Sequence, residues 1–487
     1  MNPTLILVII LGYFGALLII SHFTSREANN TTFFTGNKQS PWYVVAFGMV
    51  GASLSGVTFI SVPGWVGTSA FSYMQMVMGY LLGYVVVATV LLPLYYRLQL
   101  TSIYAYLGQR FGPTSLKTGA SFFLLSRIIG SAFRLYLVAI VFELVFQRMD
   151  IHVPFVITVL LTIGLIWLYT ARGGIKTIVW TDTLQTLFML LAVGITVYLI
   201  AGEMNLNASA LIQTVRESDY SQWWYFDDWN SPRHFVKQFF AGAFITIVMT
   251  GLDQDMMQKN LTCRNIGEAQ TNMFTFSAVL VVVNLLFLSL GALLYLFAHA
   301  QQIAIPEQTD YLYPIIALDG HLGQGVAVLF VLGLIASAYS SADSALTALT
   351  TSFSVDILRI EHKDQTAQER IRKQVHVGMS LVLVAVILIF KAINNDSVIQ
   401  SLFTVAGYTY GPLLGLYFFG LFIKRNLRDS QVPFIAIAAP LLSYLLSSQS
   451  AKWFNGFEFG FFILVVNGAL TVLGLWFIST PRHTNHD

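Results

Sequence analysis

Thirteen mostly apolar stretches follow one another along the chain, and each is long enough to cross a lipid bilayer as a helix. Backbone polar groups inside a bilayer must bond to other protein groups, so a spanning segment has to be a helix or part of a closed barrel. Only 10% of the 487 residues are charged, compared with about 25% in an average soluble domain. We therefore predict an all-α integral membrane protein with spans at 3–21, 41–63, 72–96, 118–146, 153–171, 178–201, 236–257, 272–299, 324–356, 375–391, 398–423, 432–448 and 456–479.

The Lys and Arg residues lie mainly on one side of this arrangement. Segments that follow odd-numbered spans contain 18 of the 26 Lys and Arg residues. Segments that follow even-numbered spans contain 6, if Lys237 and Lys391 at the ends of spans are counted with them, and Arg127 and Arg134 lie within a span. Cytoplasmic loops carry the excess of positive charge in membrane proteins. We therefore expect a multi-pass protein of the plasma (inner) membrane with its N-terminus outside and its C-terminus in the cytoplasm.

One predicted span carries four hydroxyl groups on a single helical face, which we call the hydroxyl stripe. Ser337, Ser340, Ser341 and Ser344 follow the spacing i, i+3, i+4, i+7. Polar groups at this depth need partners, and neutral oxygens stacked on one face suit a hard cation that has lost part of its water. The alternative is that these small residues let two helices pack closely, with each hydroxyl bonded to its own helix.

Two spans are interrupted by small or polar residues. The second contains Gly51, Ser53 and Ser55 near its middle, and the seventh contains Gly251 and Asp253 before its cytoplasmic end. Glycine leaves helical geometry at little cost, and unwound backbone frees carbonyl groups that can bind a cation. The interruptions are five spans apart, which favours two five-helix repeats of opposite topology. Close helix packing would explain the glycines alone.

The repeat hypothesis sets the expected boundaries along the chain. We expect an N-terminal extra helix and linker over 1–40, a first repeat over 41–201, an outer loop over 202–235, a second inverted repeat over 236–423, and two C-terminal helices with a tail over 424–487. The outer loop contains the aromatic run 223–229, which is typical of a membrane interface. The loop acting as an outer lid is the alternative.

Seven short motifs occur in a characteristic order from residue 33 to residue 415. They are Phe33-Phe34-Thr-Gly36, Gly51-Ala-Ser-Leu54, Ala105-Tyr-Leu-Gly-Gln-Arg110-Phe111-Gly112, Gly173-Gly174 with Trp180-Thr181-Asp182, Asp253-Gln254 with Gln258-Lys259, Ser340-Ser341 with Val355-Asp356, and Tyr410-Gly411-Pro412-Leu-Leu-Gly415. Their order and spacing resemble the sodium/solute symporter family, the relatives of sodium/sugar, sodium/proline and sodium/sialic-acid transporters. The resemblance implies a leucine-transporter-type fold that works by alternating access.

The resemblance also implies two ion sites. The main sodium site would lie between the first broken helix and the hydroxyl stripe, with ligands from the backbone carbonyls of Gly51 and Leu54 and from Ser337, Ser340 and Ser341. Some members of the family have a second sodium site, which would correspond here to Asp182, Asp343 and Ser344 next to Ser340. Such members can carry a serine where this chain has Asp343.

Substrate contacts in the family come from five helices of the repeats. The corresponding positions are Ser53, Ser55, Thr58, Gln75, Tyr80, Arg134, Asp253, Gln254, Thr404 and Tyr408. Hydroxyl groups beside an aromatic wall suit a polyol or a sugar-like solute. An intramembrane Arg134 can pair with a substrate carboxylate, or it can pair with Glu143 or a helix end for structural reasons. A structural role is also open for Asp253.

Two interpretations of Asp182 follow from where its helix begins. If the helix begins at Thr183, Asp182 and Gln185 have the spacing of a capping box, and the carboxylate caps the helix. If the helix begins near Ile175, Asp182 lies about 10 Å inside the membrane, where a lone carboxylate is unfavourable without a cation.

Sodium-coupled import of a small polar solute, with a sugar or sugar acid favoured, is the function that we expect. Uptake of an amino acid or a monocarboxylate is the alternative within this class, and a membrane sensor that acts with a separate partner is the alternative outside it. The chain has no HExxH or GxSxG motif, which argues against an enzyme. The expected partners are a small-molecule substrate, Na⁺ ions and the lipid bilayer, without nucleic acid, and we expect a monomer.

The charge distribution predicts which loops an impermeant reagent can reach. In a variant that lacks Cys263, a cysteine introduced as Ser221→Cys should be labelled by an impermeant thiol reagent in intact cells, and one introduced as Gln374→Cys should not. Permeabilised cells should give labelling of both cysteines and serve as the control. Labelling at 374 without labelling at 221 would invert the topology.

Overall fold

A computed structural model describes residues 3–24, 38–100, 102–148, 150–393 and 398–481 of the chain, and helices account for most of them. The first ten helices are α1 (Pro3–Thr24), α2 (Trp42–Ser53), α3 (Gly56–Ser69), α4 (Tyr73–Val86), α5 (Leu92–Leu98), α6 (Ala105–Arg110), α7 (Pro113–Arg148), α8 (Phe155–Glu203), α9 (Ala208–Glu217) and α10 (Phe235–Thr246). The others are α11 (Gln254–Asn260), α12 (Ile266–Ala300), α13 (Leu312–Leu318), α14 (Gln324–Ser352), α15 (Gln365–Ile393), α16 (Val398–Thr409), α17 (Gly411–Phe422), α18 (Val432–Trp453) and α19 (Ile463–Phe477). The predicted all-α class is confirmed. The motif at 33–36 and two of the counted charges, Arg26 and Arg482, lie outside the described residues.

Fewer spans than thirteen can be counted directly in the described part of the chain. Eight helical stretches there are long and apolar enough to cross a membrane, or ten if two bent pairs each count as one span. One of the eight, Gly56–Leu98, includes Ala70, whose φ of 48° interrupts the helix. Three further apolar helices, at 11–24, 42–53 and 155–167, are shorter. The number thirteen therefore stays a prediction.

Helix α8 folds back on itself, as the two predicted spans at 153–171 and 178–201 require. The side chain of Tyr339 lies beside Thr162, whereas the next residue, Ser340, bonds to Asp182. Twenty residues of straight helix would separate these two positions on α8 by about 30 Å, which is more than neighbouring side chains can bridge. The two halves of α8 are therefore separate passes that meet the same stretch of α14.

Both predicted interruptions are present in the structure. Helix α2 ends at Ser53, and Leu54 and Ser55 link it to α3 with ψ angles of 69° and 179°. Helix α10 continues through a π-helical turn to Gly251, and α11 then leaves at an angle of 68°. A third break, of 44°, separates α16 from α17 at Tyr410, where the sequence predicted one continuous span. Pro412 in the first turn of α17 explains the break, because proline is tolerated there and not inside a helix.

Helix α14 forms the centre of the molecule. Every residue from Gly333 to Ser352 is buried, and α14 packs against α8, α7, α15 and α3. This complete burial explains why so many small and hydroxyl-bearing residues occur there, since large side chains would separate the surrounding helices. Outside the helices, β1 (Arg425–Leu427) pairs with β2 (Ser479–Pro481) in antiparallel register, with Asn426 opposite Thr480.

Helices α4 and α10 approach each other at the level of their backbones. A Cβ atom added at Gly242 would overlap the carbonyl group of Met76, and one added at Gly79 would overlap the carbonyl oxygen of Phe239. The absence of a side chain at these two positions is therefore what allows α4 and α10 to touch along this line.

We expect Gly242→Ala to lower the thermal stability of the detergent-solubilised protein, because either the backbone of α4 or that of α10 has to move. Overpacking of this kind costs about 1–3 kcal/mol. Gly194→Ala is the matched control, since nothing lies within 4 Å of a Cβ atom added there. A thermal unfolding midpoint that falls equally in both variants would contradict the proposed backbone contact.

Candidate ion and substrate site

The hydroxyl stripe of α14 faces the break between α2 and α3. The Ser341 hydroxyl donates to the carbonyl oxygen of Ala52 at 3.1 Å, one of the last carbonyl groups before the break. A Cβ atom added at Gly51 would overlap the Thr186 side chain, so this part of α2 also lies directly against α8. The stripe, the break carrying Gly51 and Leu54, and the second half of α8 therefore meet at one place.

The four hydroxyls of the stripe differ in their partners. Ser337 donates to Leu334 O at 2.9 Å and Ser344 donates to Ser340 O at 3.0 Å, so both bond to their own helix. Ser340 and Ser341 instead bond across to other helices. Asp343 accepts from the backbone N–H of Ser344 at 2.5 Å. The hydrogen bonds therefore agree in part with each interpretation of the stripe. Two hydroxyls bond within α14, as the packing interpretation expects, and two are directed towards neighbouring elements, as the ion-site interpretation expects.

Asp182 lies inside a helix and does not begin one. Helical backbone extends on both sides of it within α8, so the capping interpretation is wrong. One carboxylate oxygen accepts from the Ser340 hydroxyl at 2.6 Å, and the other lies 2.8 Å from the Lys259 ammonium nitrogen. The cation that a buried carboxylate requires is thus supplied by the chain itself.

Sequence reasoning missed the position of Lys259. We counted it among the cytoplasmic charges, but its side chain is only 1% exposed. Without Lys259 the charge asymmetry becomes 17 to 6, from 18 to 6, so the topology argument is unaffected. Only the structure shows this position: Lys259 belongs to the short helix α11, in which every residue from Gln254 to Asn260 is buried.

A network of buried charges continues from Lys259 to the other side of α11. Asp255 Oδ1 lies 3.7 Å from Lys259 Nζ, and its other oxygen pairs with Arg127 of α7. Arg127 also lies 3.6 Å from Asp253, which accepts a hydrogen bond from Tyr410 at 3.0 Å. Charges removed from water remain stable only when each has a partner of opposite sign, and this network provides those partners.

A cavity of about 710 Å³, open space included, lies beside this network. Its polar lining comes from both sides of the break between α2 and α3, from three tyrosines, from two arginines, and from α10 and α12. The polar lining residues are Ser53, Ser55, Thr58, Tyr73, Tyr80, Tyr84, Arg127, Arg134, Thr246, Thr250 and Asn284. Five of the ten sequence-predicted substrate residues are among them: Ser53, Ser55, Thr58, Tyr80 and Arg134.

The other five predicted substrate residues lie outside the lining of this cavity. Gln75 donates to Arg233 O at 3.0 Å and accepts from Tyr225 N–H at 3.1 Å, so its amide holds the outer loop. Thr404 is exposed, and Tyr408 packs against Tyr444. Helix α16 instead lines the cavity with Ile399, Leu402 and Phe403, which lie on its other face.

Asp253 and Gln254 have structural partners at the break before α11. Asp253 caps α11 by accepting from the backbone N–H of Asp255 at 3.0 Å. The Gln254 side chain accepts from Ile103 N–H at 2.9 Å, and Tyr104 donates to Leu252 O at 2.9 Å. These bonds attach the segment after α5 to the break, so the polar residues of the seventh span organise the backbone there.

Arg134 differs from Arg127 and Lys259 in its ion-pair partners. Glu143, the structural partner considered for it, pairs with Lys391 at 2.9 Å instead. Among the described residues no carboxylate forms an ion pair with Arg134, its Nε has no hydrogen-bond partner, and the side chain lines the cavity. Asn284 is a second residue with unused capacity: its amide donates to Leu280 O, and its oxygen has no partner within the described residues. Sequence reasoning missed Asn284, Thr246 and Thr250.

The sequence and the fold of this chain were compared with those of known proteins. The sequence profile of the sodium:solute symporter family matches residues 33–429. The sodium/sialic acid symporter of Aliivibrio fischeri is 24% identical over 99% of this chain and 94% of its own length, and the human sodium/iodide cotransporter is 26% identical over 80% of this chain and 61% of its own length. The solved structure of a Na⁺-coupled sialic acid symporter in a substrate-bound outward-open state matches with a TM-score of 0.81, at 20% identity over 98% of this chain and 99% of that one.

A helical membrane bundle with broken helices, and with hydroxyl groups directed at one break, is the architecture of the leucine-transporter fold. The chain belongs to the sodium:solute symporter family. It is therefore a multi-pass membrane protein that transports a small molecule together with Na⁺ as the coupling ion.

We expect Ser341→Ala to weaken sodium binding by about tenfold, because it removes one neutral oxygen at the break, worth about 1–2 kcal/mol. Sodium-dependent thermal stabilisation, measured against potassium, reports this affinity without a substrate. Ser443→Ala is the matched control, since Ser443 is equally buried and bonds to its own helix at Ala439. Equal sodium affinities in Ser341→Ala and in the control would remove Ser341 from the ion site.

Proposed function

We propose that the protein imports a small hydroxylated carboxylate of the sugar-acid class together with sodium. The observation that carries this proposal is Arg134, a buried guanidinium without an ion-pair partner among the described residues that lines the cavity. A guanidinium pairs with a carboxylate through two parallel hydrogen bonds. Two of the relatives are sialic acid symporters, from Aliivibrio fischeri and Proteus mirabilis, and their substrate is an acid of this class.

The remaining lining supports hydroxyl recognition. Ser53, Ser55 and Thr58 contribute hydroxyls from the broken segment, and the unpartnered oxygen of Asn284 can accept from a sugar hydroxyl. None of the described residues that line the cavity is acidic, so the lining offers an amino acid no carboxylate to pair with its ammonium group.

We attribute the coupling of sodium binding to substrate binding to the break between α2 and α3, which contributes to both proposed sites. The proposed main sodium site consists of Gly51 O, Leu54 O, Ser337, Ser340 and Ser341, while Ser53 and Ser55 of the same break line the substrate cavity. Sodium bound to the carbonyl groups would hold the unwound segment in the conformation that presents these two hydroxyls. A ligand that orders a segment lowers the cost of ordering it for a second ligand. The proposed second sodium site, with Asp182, Asp343 and Ser344, lies on the other side of Ser340.

Further parts of the proposal concern the whole chain. We propose two inverted repeats over 41–201 and 236–423, flanked by the extra helix and linker over 1–40, the outer loop over 202–235, and the C-terminal helices and tail over 424–487. The N-terminus would lie outside and the C-terminus in the cytoplasm, as the charge asymmetry of 17 to 6 supports. Transport by a monomer, without enzymatic activity, would be its whole function.

We expect Arg134→Met to weaken binding of a sugar acid by about 2 kcal/mol, or about thirtyfold, while Arg134→Lys retains part of the affinity. The measurement is a binding titration with sialic acid and with its carboxamide in sodium. The carboxamide should bind weakly to the native protein and should lose little further affinity in Arg134→Met.

Two results would contradict this assignment. Equal losses for the acid and the carboxamide would mean that Arg134 supports the cavity and does not contact the carboxylate. Stabilisation of the native protein by neutral sugars alone, in a thermal-shift screen of sugars, sugar acids, amino acids and monocarboxylates, would exclude an anionic substrate.

A further inference from the structure

The Lys259 ammonium lies between two carboxylates that belong to different helices. It is 2.8 Å from Asp182 of α8 and 3.7 Å from Asp255 of its own helix α11. Both ion pairs are almost completely removed from solvent, with side-chain exposures of 0–1%. The shorter distance shows that Asp182 holds the ammonium in this conformation, and Asp255 provides a second acceptor within a small movement of the same side chain.

The oxygen atoms around Asp182 are also those expected to receive a cation. Asp182 accepts from Ser340 at 2.6 Å, and Ser340 belongs to the hydroxyl stripe. An added Cβ atom at Gly48 would lie 3.2 Å from the Cβ atom of Asp182, so the broken segment is adjacent as well. A sodium ion on the Ser340 side of Asp182 would therefore share one carboxylate with an ammonium group that contacts its other oxygen.

Two cations cannot share this carboxylate without a large penalty. Like charges a few ångströms apart repel strongly where water is excluded, and a buried carboxylate is stable with one counter-ion. Sodium can therefore occupy Asp182 only if the ammonium leaves, and the ammonium can leave only towards another buried acceptor. Asp255, at 3.7 Å, is that acceptor. Its present partner, Arg127, also lies 3.6 Å from Asp253, so each of the three cations would then have a carboxylate.

We propose that Lys259 is an internal cation that competes with sodium for Asp182 and moves to Asp255 when sodium binds. This inference rests on the proposed second sodium site at Asp182. Lys259 is a positioning residue in this scheme, since it contacts neither the substrate nor the ion that is transported.

The movement has a consequence for the substrate cavity. Asp255 also pairs with Arg127, which lines the cavity together with Arg134. When the ammonium reaches Asp255, that carboxylate is shared, and its hold on Arg127 weakens. Arg127 then contributes more positive potential to the cavity, which favours an anionic substrate. Sodium at Asp182 would in this way raise the affinity for the substrate through a chain of direct contacts from Asp182 to Lys259, from Lys259 to Asp255 and from Asp255 to Arg127.

Lys259→Met tests the competition directly, because methionine keeps the length of the side chain and removes its charge. We expect sodium to bind the variant about tenfold more tightly or better, as measured by sodium titration against a constant ionic strength of potassium without any organic substrate. Lys237→Met is the matched control: this buried ammonium bonds to the carbonyl oxygens of Asn230 and Glu458, and its removal should leave sodium affinity unchanged. Unchanged or weaker sodium binding in folded Lys259→Met would overturn the proposal.

A second measurement uses the native protein and does not depend on a variant that folds. Experimental structures determined in sodium and in potassium should differ in the position of Lys259. In potassium we expect the 2.8 Å contact with Asp182, and in sodium we expect that contact to be broken and the contact with Asp255 to be shortened. An ammonium that stays on Asp182 with sodium bound would also overturn the proposal.

Asp182→Asn separates this inference from the proposed second sodium site. If that site exists, sodium binding by the native protein should have a Hill coefficient near two, and Asp182→Asn should lower it towards one. If Asp182→Asn leaves sodium binding unchanged, the second site fails and the inference fails with it. If Asp182→Asn lowers the coefficient while Lys259→Met leaves sodium affinity unchanged, the second site stands and only the role of Lys259 is refuted.

Discussion

The buried pair between Asp182 and Lys259 ties together the helices on which the transport site depends. Asp182 belongs to the second half of α8, Lys259 belongs to the short helix α11, and Ser340 of α14 bonds to the same carboxylate. Because a charge at this depth has to be paired, the pair restrains the position of α11. Asp255 of α11 and its capping residue Asp253 in turn hold Arg127 beside the cavity. Removing Lys259 would leave the Asp182 carboxylate without its counter-ion in the centre of the protein, whereas removing Asp182 would leave Lys259 with Asp255.

The broken helices have separate tasks that follow from their chemistry. The break at Leu54 and Ser55 brings backbone carbonyls next to the hydroxyls of α14 and turns Ser53 and Ser55 towards the cavity. The break at Leu252 and Asp253 has its polar groups occupied by Tyr104, by Ile103 and by the cap of α11. One interruption therefore leaves groups available for a ligand, while the other attaches neighbouring segments. Both occur where lipid is excluded, which is the condition for irregular backbone at this depth.

Several residues of the site could be predicted because their chemistry is unusual for their surroundings. Arg134 and Asp182 are charges in apolar spans, and the hydroxyls of α14 repeat with the period of a helix, so both features are visible along the chain. Thr404 and Tyr408 illustrate the limit of this reasoning. They lie on the same short helix as the lining residues Leu402 and Phe403. Packing against neighbouring helices decides which face of this helix is turned towards the cavity, and a single polar residue in the sequence does not decide it.

The sequence by itself determined the class of protein, the presence of two interrupted spans, the hydroxyl stripe and the need of Asp182 for a cation. These follow from local pattern and from the cost of polar groups in lipid, which act on each segment separately. Only the tertiary structure decided that Lys259 supplies that cation. It also decided that Glu143 pairs with Lys391, so that Glu143 is not the partner of Arg134, and that the Gln75 side chain bonds to the 202–235 segment. Those outcomes depend on pairs of residues that lie far apart along the chain, and spacing within a segment carries no information about which distant group will fill the partner position.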